Sequence, residues 1–276
     1  MLRTIKQIRG AKLGATDGEI GHVKDFYFDD VDWVVRYVVA DTGSWMPGRL
    51  VLISPHAVGR LYQGGKVLLV NLTRQQIENS PSIETHKPVS QQYEEEYHQY
   101  YGWPYYWMGD GLWGMSGFPI LSEGAQPFQG ERRTDMPATR KTVDRHLRST
   151  QAIMGYKVQA RDELTGYVED VVLDDKSWAI RHLVVGVGSW LSGRKVPILP
   201  REIERISWDE SKVIVKLTKE AVLGSPDFDP ASFGIPEHDP RLTSRPWPGR
   251  SPHSEARLAT RSTKRASRMT PTRRTC

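Results

Sequence analysis

Ile20–Pro55, IGHVKDFYFDDVDWVVRYVVADTGSWMPGRLVLISP, recurs 145 positions later as Thr165–Pro200, TGYVEDVVLDDKSWAIRHLVVGVGSWLSGRKVPILP. The match extends without a gap from Leu2/Leu147 to Ile83/Phe228, and about 29 of the 82 aligned pairs are identical. Unrelated segments do not hold register over that length, so the chain reads as a duplication in which each copy is a folding unit. A copy of about 80 residues encloses one small core and is marginal without good packing or a partner.

Inside each copy, Gly21–Phe28 and Gly166–Leu173 are rich in β-branched and aromatic residues and read as strands ending in paired aspartates, Asp29-Asp30 and Asp174-Asp175. A second strand follows, Trp33–Ala40 and Trp178–Val185. With Asp29–Asp32 as the connection, Phe28 faces Trp33, Asp25 faces Arg36, and in the second copy Asp170 faces Arg181. Opposite charges directly across an antiparallel pair stabilise it by a few tenths to about 1 kcal/mol. These four residues are therefore expected to form two structural ion pairs that fix register. A catalytic Asp/Arg pair is the alternative, but no general base or nucleophile accompanies them.

The next connection is the most specific string, Gly43-Ser44-Trp45-Met46-Pro47-Gly48-Arg49 against Gly188-Ser189-Trp190-Leu191-Ser192-Gly193-Arg194. Glycines at both ends suit a loop with unusual backbone angles. Trp45 and Trp190 have two readings: they fold back to plug an end of a barrel, or they are exposed anchors for a partner, with Arg49 and Arg194 beside them. No helix start and no P-loop Lys-Ser/Thr follows, so the glycines are not a phosphate cradle. Third strands (Arg49–Ser54, Arg194–Leu199) stop at Pro55 and Pro200. Helical turns are expected at His56–Leu61 and Arg201–Ile206, then strands at Val67–Leu72 and Lys212–Leu217. Thr73 and Thr218 are natural N-caps for short closing helices that break at Ser-Pro. The sum is an all-β chain: two small barrels or half-open sandwiches in tandem, each with a short helical segment.

The order Gly-x-Val-x-Asp, Asp-Asp, Trp, a long hydrophobic strand, then a loop and a Pro-ended strand resembles the PRC-barrel. That domain is shared by the reaction-centre H subunit and the C-terminal part of the ribosome-maturation factor RimM. The GSW(M/L)xGR loop and the central aromatic box look like the bacterial proteins with two PRC-barrels and no assigned role. The resemblance covers both repeats and implies no reaction, because this barrel serves unlike roles in its relatives. It implies a binding or assembly module. A ribosome- or RNA-associated role is the alternative that RimM suggests. A reaction-centre H-subunit-like role follows only from the domain's other relative, and no haem, quinone or chlorophyll motif supports it.

Between the repeats, Val89–Tyr101 reads as a helix with Tyr93, Tyr97, Tyr100 and Tyr101 on one face. Trp103, Tyr105, Tyr106, Trp107, Trp113 and Phe118 follow, so ten of the chain's 26 aromatic residues fall within this short stretch. So many rings are costly to leave in water. They either strap the barrels or offer a surface for partners or self-association, with Tyr97, Tyr101, Trp103, Tyr105, Tyr106, Trp107 and Trp113 as candidate contacts. Glu95-x-x-His98 has the spacing of di-iron helices but occurs once, with no second helix to complete a site.

The net charge is +5, yet from Pro240 onward ten Lys/Arg face one acid, Glu255. That tail carries about +9, so the remainder is mildly acidic at about −4. Any weak nucleic-acid contact would run through the tail, including Arg261, Lys264, Arg265, Arg268, Arg273 and Arg274. No apolar run reaches the roughly 18 residues of a membrane span. The N-terminus MLRTIKQIRG lacks an apolar h-region. The lone Cys276 excludes an internal disulfide or a cysteine metal site. The expectation is a cytoplasmic, non-enzymatic chain without cofactor or metal. Its segments are barrel 1 (1–85), an aromatic linker (86–145), barrel 2 (146–230) and a basic disordered tail (231–276).

Overall fold

The computed structural model describes residues 1–61, 67–81, 89, 91–120, 147–188 and 193–233. Two seven-stranded sheets dominate, one for each half of the chain. The N-terminal half holds β1 (Leu2–Thr4), β2 (Lys12–Ala15), β3 (Gly18–Asp29), β4 (Val34–Asp41), β5 (Leu50–Ile53), β6 (Val58–Leu61) and β7 (Val67–Val70). The C-terminal half repeats them as β8 (Leu147–Ser149), β9 (Lys157–Gln159), β10 (Leu164–Asp174), β11 (Ile180–Val187), β12 (Lys195–Ile198), β13 (Ile203–Ser207) and β14 (Lys212–Val215). The strand orders are the same, β5-β4-β3-β2-β7-β6 and β12-β11-β10-β9-β14-β13. Parallel pairing of β2 with β7 and of β9 with β14 lets each sheet curl over one core.

Of the two expected forms, barrel or half-open sandwich, the sheets take the half-open one, because β5 and β6, and likewise β12 and β13, are the free ends of their paths. Pro55 and Pro200 follow the edge strands, and the lost N–H there ends pairing. A second expectation gives way at His56–Leu61 and Arg201–Ile206. These segments form the strands β6 and β13 after a turn or a single 3-10 turn at Pro200–Glu202, since hairpin pairing with β7 and β14 outweighs a weak helical preference. The capped helices appear where read. Thr73 accepts from the Gln76 amide at the start of Arg74–Glu78, and Thr218 accepts from the Ala221 amide at the start of Lys219–Leu223.

The first strand of each half does not join its own sheet. β1 pairs with β10, Leu2 opposite Asp174 and Thr4 opposite Val172, while β8 pairs with β3, Leu147 opposite Asp29 and Ser149 opposite Tyr27. Each partner in one set lies 145 residues from its counterpart in the other, so the exchange is reciprocal about a pseudo-two-fold axis. On that axis Val34 bridges Ala179. Beside it the Ile180 amide donates to the Trp33 carbonyl (2.7 Å) and the Val35 amide to the Trp178 carbonyl (2.9 Å). Trp33 and Trp178 both hold positive φ, 55° and 58°. That left-handed turn is strained for so bulky a residue, and it aims each carbonyl across the axis. The apolar interior is accordingly one continuous cluster running through both halves, not two separate cores.

The exchange also redirects the aspartates expected to pair with arginine. The turn is Asp30–Trp33, not Asp29–Asp32, so Phe28 faces Val35, and the bulge at Arg36 moves the register by one more; Asp25 thus stands opposite Val39, and Asp170 likewise stands opposite Val184. Asp25 is buried and accepts from the Thr150 hydroxyl (2.8 Å), the Gln151 amide (3.1 Å) and the Ser149 hydroxyl, all from the opposite half. Asp170 accepts from the Lys6 amide (3.2 Å). Each carboxylate thus sits at the start of the exchanged arm's short helix, Thr150–Ile153 or Ile5–Ile8. The register-fixing ion pairs Asp25–Arg36 and Asp170–Arg181 are not formed. Phe28 and Trp33 still touch, with ring centroids 5.7 Å apart.

Candidate functional site

Strand β4, VVRYVVAD, is buried along almost its whole length because both of its faces are covered. The inner face meets the core. The outer face lies under a strap, residues 91–120, which begins with the helix Gln91–Tyr101 and continues irregularly past Gly102. The helix matches the tyrosine stripe read from sequence. The strap also seals an edge: the Tyr97 hydroxyl donates to the Leu52 carbonyl (2.7 Å) and accepts from the Ser54 amide (3.3 Å), satisfying backbone groups of β5 that no strand pairs.

Beneath the strap lies a cluster of buried polar groups. Arg36, the residue of the β4 bulge, has a fully buried side chain. Its guanidinium reaches Asp32 (3.0 Å), Asp29 (3.5 Å) and the Leu112 carbonyl of the strap. It stacks 3.9 Å from the Tyr106 ring centroid and 5.2 Å from that of Trp113. Next to it, Glu94 is 2 % exposed and accepts from the Tyr106 hydroxyl (2.8 Å). The Tyr37 hydroxyl lies 3.0 Å from Glu94 Oε1 and 3.1 Å from His98 Nε2, and His98 Nδ1 lies 2.9 Å from the Pro104 carbonyl.

Counting hydrogens fixes the protonation of this chain of contacts. The contacts Pro104–His98, His98–Tyr37 and Tyr37–Glu94 each need one hydrogen. A neutral imidazole and the phenol together supply two, so the third comes from a protonated Glu94 or from an imidazolium. Burial decides between them. It pushes Glu94 up to about 7, against hydrogen bonds from Tyr106 and Tyr37, and pushes His98 down to about 3, reinforced by the neighbouring His56. The imidazole is therefore neutral, and Glu94 carries the third hydrogen as pH falls below about 7, while above it the Tyr37 hydroxyl donates to the carboxylate. His56 is lowered to about 4 by burial, and its ring nitrogens make no hydrogen bond; the Pro119 carbonyl opposes the shift without reaching hydrogen-bond geometry. Among the described residues no group of three His, Cys, Asp or Glu is placed to hold a metal.

The candidate contacts divide by burial. Tyr97, Trp103, Tyr106 and Trp113 are buried within the chain, and Trp113 Nε1 donates to the Ser177 carbonyl of the C-terminal half (2.8 Å). Tyr101, Tyr105 and Trp107 are half-buried, stacked on Trp103 or on each other. Trp45 is half-buried against the core, with the Arg74 guanidinium 4.7 Å from its ring, which is the plugging arrangement. Arg49 and Arg194 hold the closing helices instead of facing solvent: Arg49 donates to the Glu78 and Ser80 carbonyls, Arg194 to those of Leu223 and Ser225. Trp190 and the tail residues Arg261, Lys264, Arg265, Arg268, Arg273 and Arg274 lie outside the described residues. The exposed large apolar residues of the strap are Tyr100, Met108, Met115, Phe118 and Ile120, among which Tyr100 and Phe118 counted in the aromatic reading of the sequence. Glu94 and His98 were not singled out as a pair by their spacing, because what joins them is Tyr37 from a strand far away in sequence.

Among the described residues no strap covers Arg181 on the corresponding face of the C-terminal half. The bulge recurs, with Leu173 opposite Ile180 and Val172 opposite His182, which leaves Arg181 as the extra residue. Its side chain is 49 % exposed and reaches only Asp174, at 3.3 Å. His182 stands where the other half has Tyr37, half-buried, its ring 5.1 Å from that of Phe233. Val172 and Val184 form a small apolar floor with Leu2, Phe228 and Phe233 packed against it.

No helix among the described residues is long and apolar enough to cross a membrane. A search of curated proteins finds no match to the chain. Residues 151–222, spanning β9 to the last helix, match the family model of the PRC-barrel domain, so the C-terminal half carries a PRC-barrel domain.

Proposed function

We propose that the chain is a cytoplasmic, non-catalytic docking module built from two PRC-type units, the N-terminal one being the diverged copy. In this reading the N-terminal half and its strap are internal scaffold, and the C-terminal half binds a partner protein through the outer face of β10 and β11. One observation carries the reading: the same bulge arginine is enclosed by the chain's own strap in one half and stands exposed in the other. Fixed, solvent-facing side chains on a rigid sheet are what a recognition surface requires, and the buried groups of the first half, out of reach of a substrate, serve the fold.

The test is a photo-reactive residue placed at position 181 in the full chain and, as control, at the exposed Lys12 of the N-terminal half. A discrete adduct with one protein from position 181 and none from position 12 is expected. No adduct from either position, or the same adducts from both, would sink the reading.

A further inference from the structure

The pseudo-two-fold axis supplies a template for what the open face accepts. In the N-terminal half the bulge arginine takes three things from the strap: the Leu112 carbonyl, the Tyr106 ring and the Trp113 ring. The side chain after it, Tyr37, takes the carboxyl group of Glu94. Arg181 and His182 occupy the same two positions of the same bulge in the C-terminal half, with none of these four ligands among the described residues. We infer that Arg181 and His182 seat a segment of another protein that offers one acidic side chain and aromatic rings around a free backbone carbonyl.

The inference rests on the docking reading above and names the partner's chemistry. Arg181 has donors to spare, since Asp174 takes only one contact from it and also accepts from Ser177 and the N-terminal amine. His182 is half-buried and its Nδ1 has no hydrogen-bond partner among the described residues, which leaves the imidazole a hydrogen bond to give or take. Phe233, Phe228 and Leu2 present apolar area on which rings can pack. The charges that face the imidazole are Glu202 and Arg181, and Asp174 borders the guanidinium. These acids repel a polyanion, whereas a short segment with one carboxyl group and several rings avoids them, which disfavours RNA here. A second copy of this chain cannot supply the segment from its strap, because Glu94, Tyr106 and Trp113 are already buried in its own N-terminal half.

The probe is a fluorescent peptide copying Glu94–Phe118, titrated against the full chain and followed by anisotropy. Saturable binding is expected, weakened about tenfold or more by Arg181→Ala, which leaves the fold intact because the residue is exposed. A peptide with Tyr106 and Trp113 replaced by alanine should lose a similar factor. Equal affinity for Arg181→Ala, equal binding of a scrambled peptide, preference for an RNA oligonucleotide or no binding at all would each overturn the inference. A discrete cross-link at position 181 together with no peptide binding would leave the docking reading standing and remove only this assignment of chemistry.

Discussion

The outer faces of β4 and β11 come from one repeated sequence and have opposite surroundings. In the first, Arg36 is sealed among two carboxylates, a carbonyl and two rings; in the second, Arg181 shares one carboxylate with water. The bulge that projects the arginine is therefore intrinsic to the repeat, while its role depends on what covers it. An arginine in solvent is nearly neutral for stability, but the same residue enclosed with acids becomes a group whose removal leaves charges stranded.

The sharpest break of the comparison is to remove both arginines in turn. Arg36→Ala leaves Asp29 and Asp32 beneath the strap without their cation and is expected to cost about 3–5 kcal/mol in chemical denaturation. Arg181→Ala should change stability by less than about 0.5 kcal/mol. Equal losses would mean that the open face is covered in solution.

The next effect probes the exchange of arms. Asp25→Ala strands the Ser149 and Thr150 hydroxyls, 124 and 125 residues away, and is expected to destabilise by about 2–3 kcal/mol. Asp170→Ala should cost less, because Asp170 caps the opposite arm through the Lys6 amide at 3.2 Å and the Thr4 side chain, against three contacts for Asp25. A double-mutant cycle between Asp25→Ala and Ser149→Ala that showed no coupling energy would rule out the exchanged pairing.

The smallest effect is in pH dependence and separates the strapped half from the open one. Between pH 4.5 and 6.5 the unfolded chain protonates His98 and His56 but not Glu94, while the native chain protonates Glu94 and neither histidine. From these three groups unfolding takes up about one net proton, so stability falls with acid by about 1.4 kcal/mol per pH unit. Glu94 opposes the histidines here: its raised native value favours folding at low pH, and that contribution disappears as pH climbs through about 7. Glu94→Gln removes the opposition, and the slope over this window should steepen by about one further proton. An unchanged slope in denaturation curves taken at several pH values would show that Glu94 is not buried with a shared proton.

Much of the fold can be read from residues alone. Thr73 and Thr218 head helices because a hydroxyl is followed at the right distance by a free amide, a wholly local matter. The tyrosine spacing of Val89–Tyr101 places a helix for the same reason. The strand exchange could not be read this way: β1 has the same side chains to match against β3 as against β10, since the repeat makes both partners alike. The Asp25–Arg36 pairing failed because the turn starts one residue later than read, which moves the partner by two, and the Arg36 bulge adds a third; both have weak local signals. The site fared similarly. The aromatics were visible as a cluster, but which of them are buried depended on the face they met.

The sequence by itself determined that one unit of short strands occurs twice, where its helices start, and that an aromatic segment lies between the copies, because periodicity, capping and composition act over a few residues. Only the tertiary structure decided that the two units trade their first strands, that the strap encloses Arg36 while Arg181 stays half exposed among the described residues, and that burial raises the Glu94 carboxyl group beside Tyr37 to about 7. Those outcomes depend on burial and on partners more than fifty positions away, and desolvation acts on where a group ends up in space, not on its neighbours along the chain.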